Sequence, residues 1–131
     1  MIDLSLNQHF VDLEPILVVE DEVLVLLHLR DLVSDLGFEH VFMASHPQQA
    51  LEVAQTANPK LLLMDINLGA STNGLELYAE INRSCPVKVI FISAYSDAET
   101  RARIEQVAPG SMLLSKPIML SSLQAALAKL N

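Results

Sequence analysis

The stretch Ile16-Leu17-Val18-Val19-Glu20-Asp21-Glu22 sets four consecutive apolar residues directly against three consecutive acids. A short run that is apolar at every position, with no alternation, is how a strand buried on both faces reads. An abrupt acidic end on such a strand delivers charge to the edge of its sheet. The same figure returns downstream. Lys60-Leu61-Leu62-Leu63-Met64 runs into Asp65, Val87 to Ile92 runs into Ser93, and Met112-Leu113-Leu114 runs into Ser115-Lys116-Pro117. Val41-Phe42-Met43-Ala44 is a further short strand without a charged end.

Between these runs the period changes to that of a helix. Glu22 to Leu36 closes at Gly37, a natural C-terminal glycine. Ser45 is expected to cap a helix through about Thr56, with Pro47 tolerated in its first turn, and Asn58-Pro59 breaks the chain. Gly69-Ala70-Ser71-Thr72-Asn73-Gly74 is a loop by composition, and Leu75 to Arg83 is helical. Ser96 or Asp97 opens a helix that fades at Pro109-Gly110, and a last helix runs from Ser121 with Leu123, Leu127 and Leu130 on one face. Five buried strands strictly alternating with five helices predict an α/β domain, a parallel sheet covered by helices on both faces. Residues 1–14 lack a clear period and read as an N-terminal arm; residues 15–131 form the domain.

The composition narrows the function classes. At 131 residues there is room for one domain, and 51% hydrophobic content excludes a disordered chain. Aromatic residues make up 5% with no Trp, so the core is aliphatic. Sixteen acids against eight bases give a net charge of -8, which repels a phosphate backbone and argues against direct nucleic-acid binding. One cysteine, Cys85, allows no internal disulfide and fits a reducing cytoplasm. No apolar run reaches the length of a membrane span, and Met1 to Pro15 lacks the basic region of a signal peptide. The expected location is the cytoplasm. Among the histidines, His28 is expected at the core or helix rim, and His9, His40 and His46 at the surface; no pair has metal-ligand spacing.

In a parallel α/β sheet ligands bind beyond the carboxyl ends of the strands. Those ends carry Glu20 and Asp21, Asp65, Ser93 and Lys116: three carboxylates, one hydroxyl and one amine on one edge. Carboxylates brought together raise one another's pKa unless a cation neutralises them. Mg²⁺ suits an all-oxygen donor set and keeps water positions for substrate oxygens. Lys116 adds a point cation fit for a phosphoryl oxygen. The chemistry this set supports is Mg²⁺-assisted phosphoryl transfer with an aspartate as nucleophile or electrostatic partner.

Val18-Val19-Glu20-Asp21-Glu22, Leu63-Met64-Asp65-Ile66-Asn67-Leu68 with Gly74, Phe91-Ile92-Ser93-Ala94-Tyr95 and Ser115-Lys116-Pro117, in that order, resemble the receiver domain of two-component response regulators over about residues 15 to 131. The resemblance implies a (βα)5 flavodoxin-like, CheY-like fold with strand order 2-1-3-4-5. It implies that Asp65 accepts a phosphoryl group from a histidine kinase or histidine phosphotransfer protein. Asp21 would bind Mg²⁺ directly, Glu20 through water and Asn67 through its backbone carbonyl, with Asp65 completing the metal site. Ser93 would hydrogen-bond the phosphoryl group and Lys116 would pair with it. Pro117 matches a proline whose preceding peptide bond is commonly cis, and Asn67 and Tyr95 fall at positions that tune phosphoaspartate lifetime. Such a domain is a signalling phosphoacceptor rather than an enzyme, with at most Mg²⁺-dependent self-phosphorylation and autodephosphorylation, and its output passes to another protein.

Three departures qualify the resemblance. The loop from Asp65 to Gly74 is one residue longer than the common form, with Gly69 where proline is frequent; loop entropy tolerates this. Leu113 stands where the family usually has an aromatic residue that moves with the switch, so output must use other packing. In the first helix, Val25, Leu29, Leu32, Val33 and Leu36 form one stripe. Val23, Leu26 and Leu27 fall off it and are expected to dock a phosphodonor helix or another copy of this chain. The alternative class is a pseudo-receiver, an interaction module of the same fold that is never phosphorylated; a missing acid would favour it, and none is missing. An aspartate-nucleophile phosphatase would want a second acid at Asn67, and a flavin domain would want a phosphate loop where Glu20-Asp21-Glu22 stands.

Overall fold

The computed structural model describes residues 10–68 and 73–130. Residues 1–9 of the arm lie outside these, as does Gly69 to Thr72, where the added loop residue was expected. In chain order the elements are β1 (Ile16–Val19), α1 (Val23–Asp35), β2 (Val41–Ala44), α2 (Pro47–Ala57), β3 (Leu61–Asp65), α3 (Gly74–Ser84), β4 (Lys88–Ser93), α4 (Ala98–Val107), β5 (Met112–Ser115) and α5 (Leu120–Leu130). All strand pairs are parallel and the order is β2-β1-β3-β4-β5, as the resemblance implied.

The unbroken apolar runs are explained by what each strand faces. Ile16, Val18, Leu61, Leu63, Ile90 and Ile92 point to one side and bury against Leu29 and Val33 of α1 and Leu123 and Leu127 of α5. Their neighbours Leu17, Val19, Leu62, Met64, Val89 and Phe91 point to the other side, against Ala50 and Ala54 of α2, Leu77 and Ile81 of α3 and Ile104 of α4. With a period of two, a strand flanked by helices on both faces needs an apolar residue at every position. The edge strands β2 and β5 are only partly covered, and Phe42 of β2 is exposed. Each fully buried Leu or Ile side chain stabilises the fold by about 1.5–3 kcal/mol, which makes this two-sided core the main source of rigidity under the sheet edge.

Local signals set the helix ends. Gly37 adopts a positive φ of 105° after α1, and Phe38 N–H donates to the Val33 carbonyl at 3.1 Å, closing the helix as expected. The cap of α2 differs from expectation. His46, not Ser45, is the N-cap; its Nδ1 accepts from Gln49 N–H at 3.3 Å, while the Ser45 N–H donates to Gln49 Oε1 at 2.9 Å. Pro47 is the reason, because the residue before a proline is held extended and so becomes the half-turn preceding the helix. Asn73 and Asp97 cap α3 and α4 by accepting from Glu76 N–H and Thr100 N–H, at 2.9 and 2.8 Å.

The first helix corrects a second expectation. Leu26 is core, only 6% exposed, and is no part of a docking surface. It lies three residues before Leu29 and seven before Val33, on the face that packs on the sheet. Val23 is 60% exposed, Leu27 is half-buried, and the most exposed apolar residue of the helix is Leu24, at 83%. The arm residues nearest the domain pack into it: Phe10 and Leu13 are buried, and the Phe10 ring stacks on Phe38 with centroids 5.6 Å apart. Glu14 Oε1 accepts from the His40 N–H at 2.8 Å, tying this segment to the start of β2.

Candidate functional site

Because every strand runs the same way, the residues that follow them meet at one edge. The register pairs Val19 with Met64, Asp65 with Ile92 and Ser93 with Ser115, so the chain ends of β1, β3, β4 and β5 are level. Glu20 and Asp21 follow β1, Asp65 and Ser93 end β3 and β4, and Lys116 follows β5, its N–H donating to the Ser93 carbonyl at 2.9 Å. One carboxylate oxygen from each of Glu20, Asp21 and Asp65 lies within 4.8 Å of the other two. All five expected residues therefore come to this edge.

Burial within the cluster is uneven. Glu20 is fully buried, Asp65 and Ser93 nearly so, and Asp21 faces solvent. Lys116 Nζ lies 2.6 Å from Glu20 Oε1 and 3.3 Å from Asp65 Oδ2. The nearer contact is an ion pair off the hydrogen-bonding direction, leaving Glu20 Oε1 without an aligned donor. Asp65 Oδ1 accepts from the Asn67 N–H at 3.2 Å, and Ser93 Oγ accepts from the Tyr95 N–H at 3.0 Å. The Ser93 hydroxyl hydrogen is thus directed elsewhere than to Tyr95, since Oγ acts there as acceptor.

Burial first, and then the Asp65 carboxyl beside it, push the Glu20 carboxyl above its ordinary value, with Lys116 opposing. Partial desolvation and the neighbouring Glu20 raise Asp21 as well. For Lys116, burial pulls the amine down, but the Glu20 and Asp65 carboxylates outweigh it and the net shift is upward. In both acids desolvation acts first and the neighbouring carboxyl second. Three carboxylate oxygens gathered at one sheet edge, those of Glu20 and Asp21 on carboxyls whose ionisation is resisted by burial and by a neighbouring carboxyl, fit a hard divalent cation such as Mg²⁺.

Gly74 holds the Asp65 side of the site by its lack of a side chain. A Cβ there would stand 2.1 Å from the Asp65 carbonyl oxygen, and the Gly74 N–H donates to the Ile66 carbonyl at 2.7 Å. Asn67 is exposed and bridges to Asn73, so both ends of the loop are fastened beside Asp65. Tyr95 is 65% exposed at the rim, and the Lys116–Pro117 peptide is cis. Leu113 is half-buried and packs with the core on the Phe91 side of the sheet, where Phe91 meets Tyr78 edge to face.

Beside the cluster, the outer side of α1 and the segment after β5 enclose a groove of about 410 Å³ lined by Leu24, Val25, His28, Lys116, Pro117 and Ile118. Two of these walls, Leu24 and His28, were not singled out for this place by the sequence. Leu24 was hidden by its apolar neighbours Val23 and Val25. His28 becomes informative only once Ile118 is opposite it, with Nε2 3.3 Å from the Ile118 carbonyl oxygen. Among the described residues no helix is long and apolar enough to cross a membrane.

The family model of the response regulator receiver domain matches residues 16–128. The chain is 30% identical to the phyllosphere-induced regulator PhyR of Methylorubrum extorquens over 115 residues, covering 87% of this chain and 42% of that protein. It spans about half the length of the curated relatives it matches. Among solved structures, the signal receiver domain of a modulated diguanylate cyclase from Desulfovibrio desulfuricans superposes with a TM-score of 0.76 at 29% identity, covering 87% of this chain and 90% of that one. The chemotaxis protein CheY4 of Vibrio cholerae gives a TM-score of 0.80 at 21% identity, covering 88% and 97%, a likeness of fold.

Proposed function

This chain belongs to the response regulator receiver domain family, and from that premise we propose that Asp65 accepts a phosphoryl group from the phosphohistidine of a histidine kinase or phosphotransfer protein. The reading rests on one juxtaposition: Lys116 Nζ is 3.3 Å from a carboxylate oxygen of Asp65, inside a cluster shared with Glu20 and Asp21. An Asp65 oxygen forms the new P–O bond as the donor's P–N bond breaks. The donor imidazole leaves with the electron pair of that bond and regains its proton from solvent. The product is an acyl phosphate dianion. Lys116, already between Glu20 and Asp65, supplies a cation to the phosphoryl oxygens as charge develops there.

Glu20, Asp21 and Asp65, with the Asn67 backbone carbonyl, would hold Mg²⁺, which when bound supplies countercharge to the phosphoryl oxygens. Ser93 offers its hydroxyl hydrogen to the new group, and the Tyr95 N–H orients that hydroxyl from behind. Asn67 and Tyr95, both exposed at the rim, govern how water reaches the acyl phosphate and so how long it lasts. The chain is a phosphoacceptor that signals, and any self-phosphorylation or autodephosphorylation is an act on itself. The attraction of Ser93 and Lys116 to the new charge shifts the ends of β4 and β5, and Leu113 carries that shift into packing in place of an aromatic ring. The donor approaches over Val23 and Leu24 and the groove beside Lys116, a surface that a second copy of the chain would also fit.

Intact-mass measurement after incubation with Mg²⁺ and a small phosphodonor tests this reading. The wild type gains one phosphoryl group, and Asp65→Asn gains none. A wild type that stays unmodified under conditions that label another receiver would replace this reading with that of an unphosphorylated interaction module.

A further inference from the structure

Lys116 must reach two carboxylates from a segment that the sheet no longer supports. β5 ends at Ser115, and the Lys116 N–H makes the last bond to β4, donating to the Ser93 carbonyl at 2.9 Å. Pro117 offers no N–H, and α5 does not begin until Leu120. The segment is then held by the Ile118 side chain, which is buried with Leu29 and Leu123, and by a contact from outside the sheet. That contact is His28 of α1, whose Nε2 lies 3.3 Å from the Ile118 carbonyl oxygen across 90 residues of sequence. A backbone carbonyl only accepts, so His28 is the donor and its proton is on Nε2.

His28 is otherwise unexplained. It is exposed, on the outer wall of the groove, where it and Lys116 are the polar side chains in a lining otherwise formed by Leu24, Val25, Leu29, Pro117 and Ile118. Its position joins the helix that follows Glu20 and Asp21 to the segment that carries Lys116. We infer that His28 is a positioning residue for the reaction at Asp65: by donating to the Ile118 carbonyl it fixes the Lys116–Ile118 segment so that the Lys116 amine stays between Glu20 and Asp65. This rests on the phosphoacceptor reading for its consequence, though not for its geometry. Without the bond the segment keeps its anchors at Lys116 N–H and the Ile118 side chain, but the carbonyl between Ile118 and α5 is free to turn. The amine then spends less time on its carboxylate partners. The loss of one such hydrogen bond slows phosphoryl acceptance by about fivefold.

The test compares wild type, His28→Leu and His28→Gln, the last carrying an amide N–H at nearly the reach of Nε2. The primary readout is the ¹H–¹⁵N signal of the Lys116 ammonium, assigned by its disappearance in Lys116→Arg. An ammonium held by carboxylates away from bulk water exchanges slowly enough to be seen. The signal is expected in wild type and His28→Gln and to be broadened or lost in His28→Leu, with unchanged far-UV dichroism in all three. An unchanged signal in His28→Leu overturns the inference, and so does a signal lost equally in both variants, which would assign the effect to ring packing. The phosphoryl-acceptance rate, read by intact mass, should fall in His28→Leu and recover in His28→Gln. Failure of wild type to accept a phosphoryl group would strike the phosphoacceptor reading alone, because the ammonium signal judges the positioning separately.

Discussion

Lys116 Nζ is nearer to Glu20 Oε1, at 2.6 Å, than to Asp65 Oδ2, at 3.3 Å. The lysine expected to serve the phosphoaspartate is therefore held chiefly by the acid of β1's end. Glu20 is fully buried, so it depends on that amine for its charge. A buried carboxylate left without its cation is costly, whereas the intact pair contributes little net stability beyond an apolar replacement of both.

Lys116→Met should destabilise the fold by about 1–3 kcal/mol at neutral pH, since it strands Glu20. The sign of the pH dependence follows from the raised Glu20 value. A carboxyl whose folded-state pKa lies above its unfolded one favours folding at low pH, and that contribution is lost as pH rises through the folded value, above 4.5. Without Lys116 the Glu20 carboxyl rises further. The deficit of Lys116→Met relative to wild type should grow from pH 4.5 towards neutrality. Urea unfolding across that window checks it; a deficit independent of pH would refute the assignment to Glu20.

Gly74→Ala should be among the most damaging small substitutions in the chain. The added Cβ meets the Asp65 carbonyl oxygen at 2.1 Å and Met64 Cγ at 2.9 Å, and the first of these is backbone that moves only by shifting β3. Overpacking of this kind costs about 1–3 kcal/mol. Because the displaced residue is Asp65, phosphoryl acceptance should fall further than stability does. Thermal melts and intact-mass kinetics on the same preparation separate the two effects.

Leu26→Glu and Leu24→Glu should behave oppositely, although the residues are two apart. The first puts a charge into the core among Leu29 and Val33 and should cost about 3 kcal/mol or more. The second falls on a residue 83% exposed and should stay within about 0.5 kcal/mol of wild type. If α1's outer side receives the phosphodonor, Leu24→Glu should slow transfer from a phosphohistidine protein and leave transfer from a small phosphodonor unaltered.

Asp21→Asn should stabilise the metal-free protein and remove its response to Mg²⁺. The Asp21 carboxyl is raised by desolvation and by Glu20, so its ionised form opposes folding at pH values above its folded pKa. Removing the charge relieves that repulsion. In wild type, added Mg²⁺ should raise the melting temperature by binding the folded state, an effect that EDTA reverses. Scanning calorimetry of both proteins with and without Mg²⁺ measures this; an equal Mg²⁺ shift in Asp21→Asn would exclude Asp21 as a ligand.

The architecture was legible in the sequence because the strands are buried on both faces. Ile16 to Val19 and Leu61 to Met64 have no polar position to hide a register, and Gly37 marks a helix end by backbone freedom alone. The meeting of the groups at the sheet edge was legible too, since parallel strands must deliver Glu20, Asp65, Ser93 and Lys116 to the same side. Where neighbours in space decide, the sequence misled. Ser45 looked like a cap, but Pro47 passed that task to His46. Leu26 looked like surface, because a helical wheel does not say where the sheet lies.

What the sequence alone determined, then, was the alternation of elements and the identity of the groups at the strand ends, both properties of local pattern. The tertiary structure decided which carboxylate holds the Lys116 amine, why position 74 admits no Cβ, and that His28 meets Ile118. Those are distances between residues far apart in the chain. They depend on sheet order, helix placement and the path of the segment after β5, which no window of sequence contains.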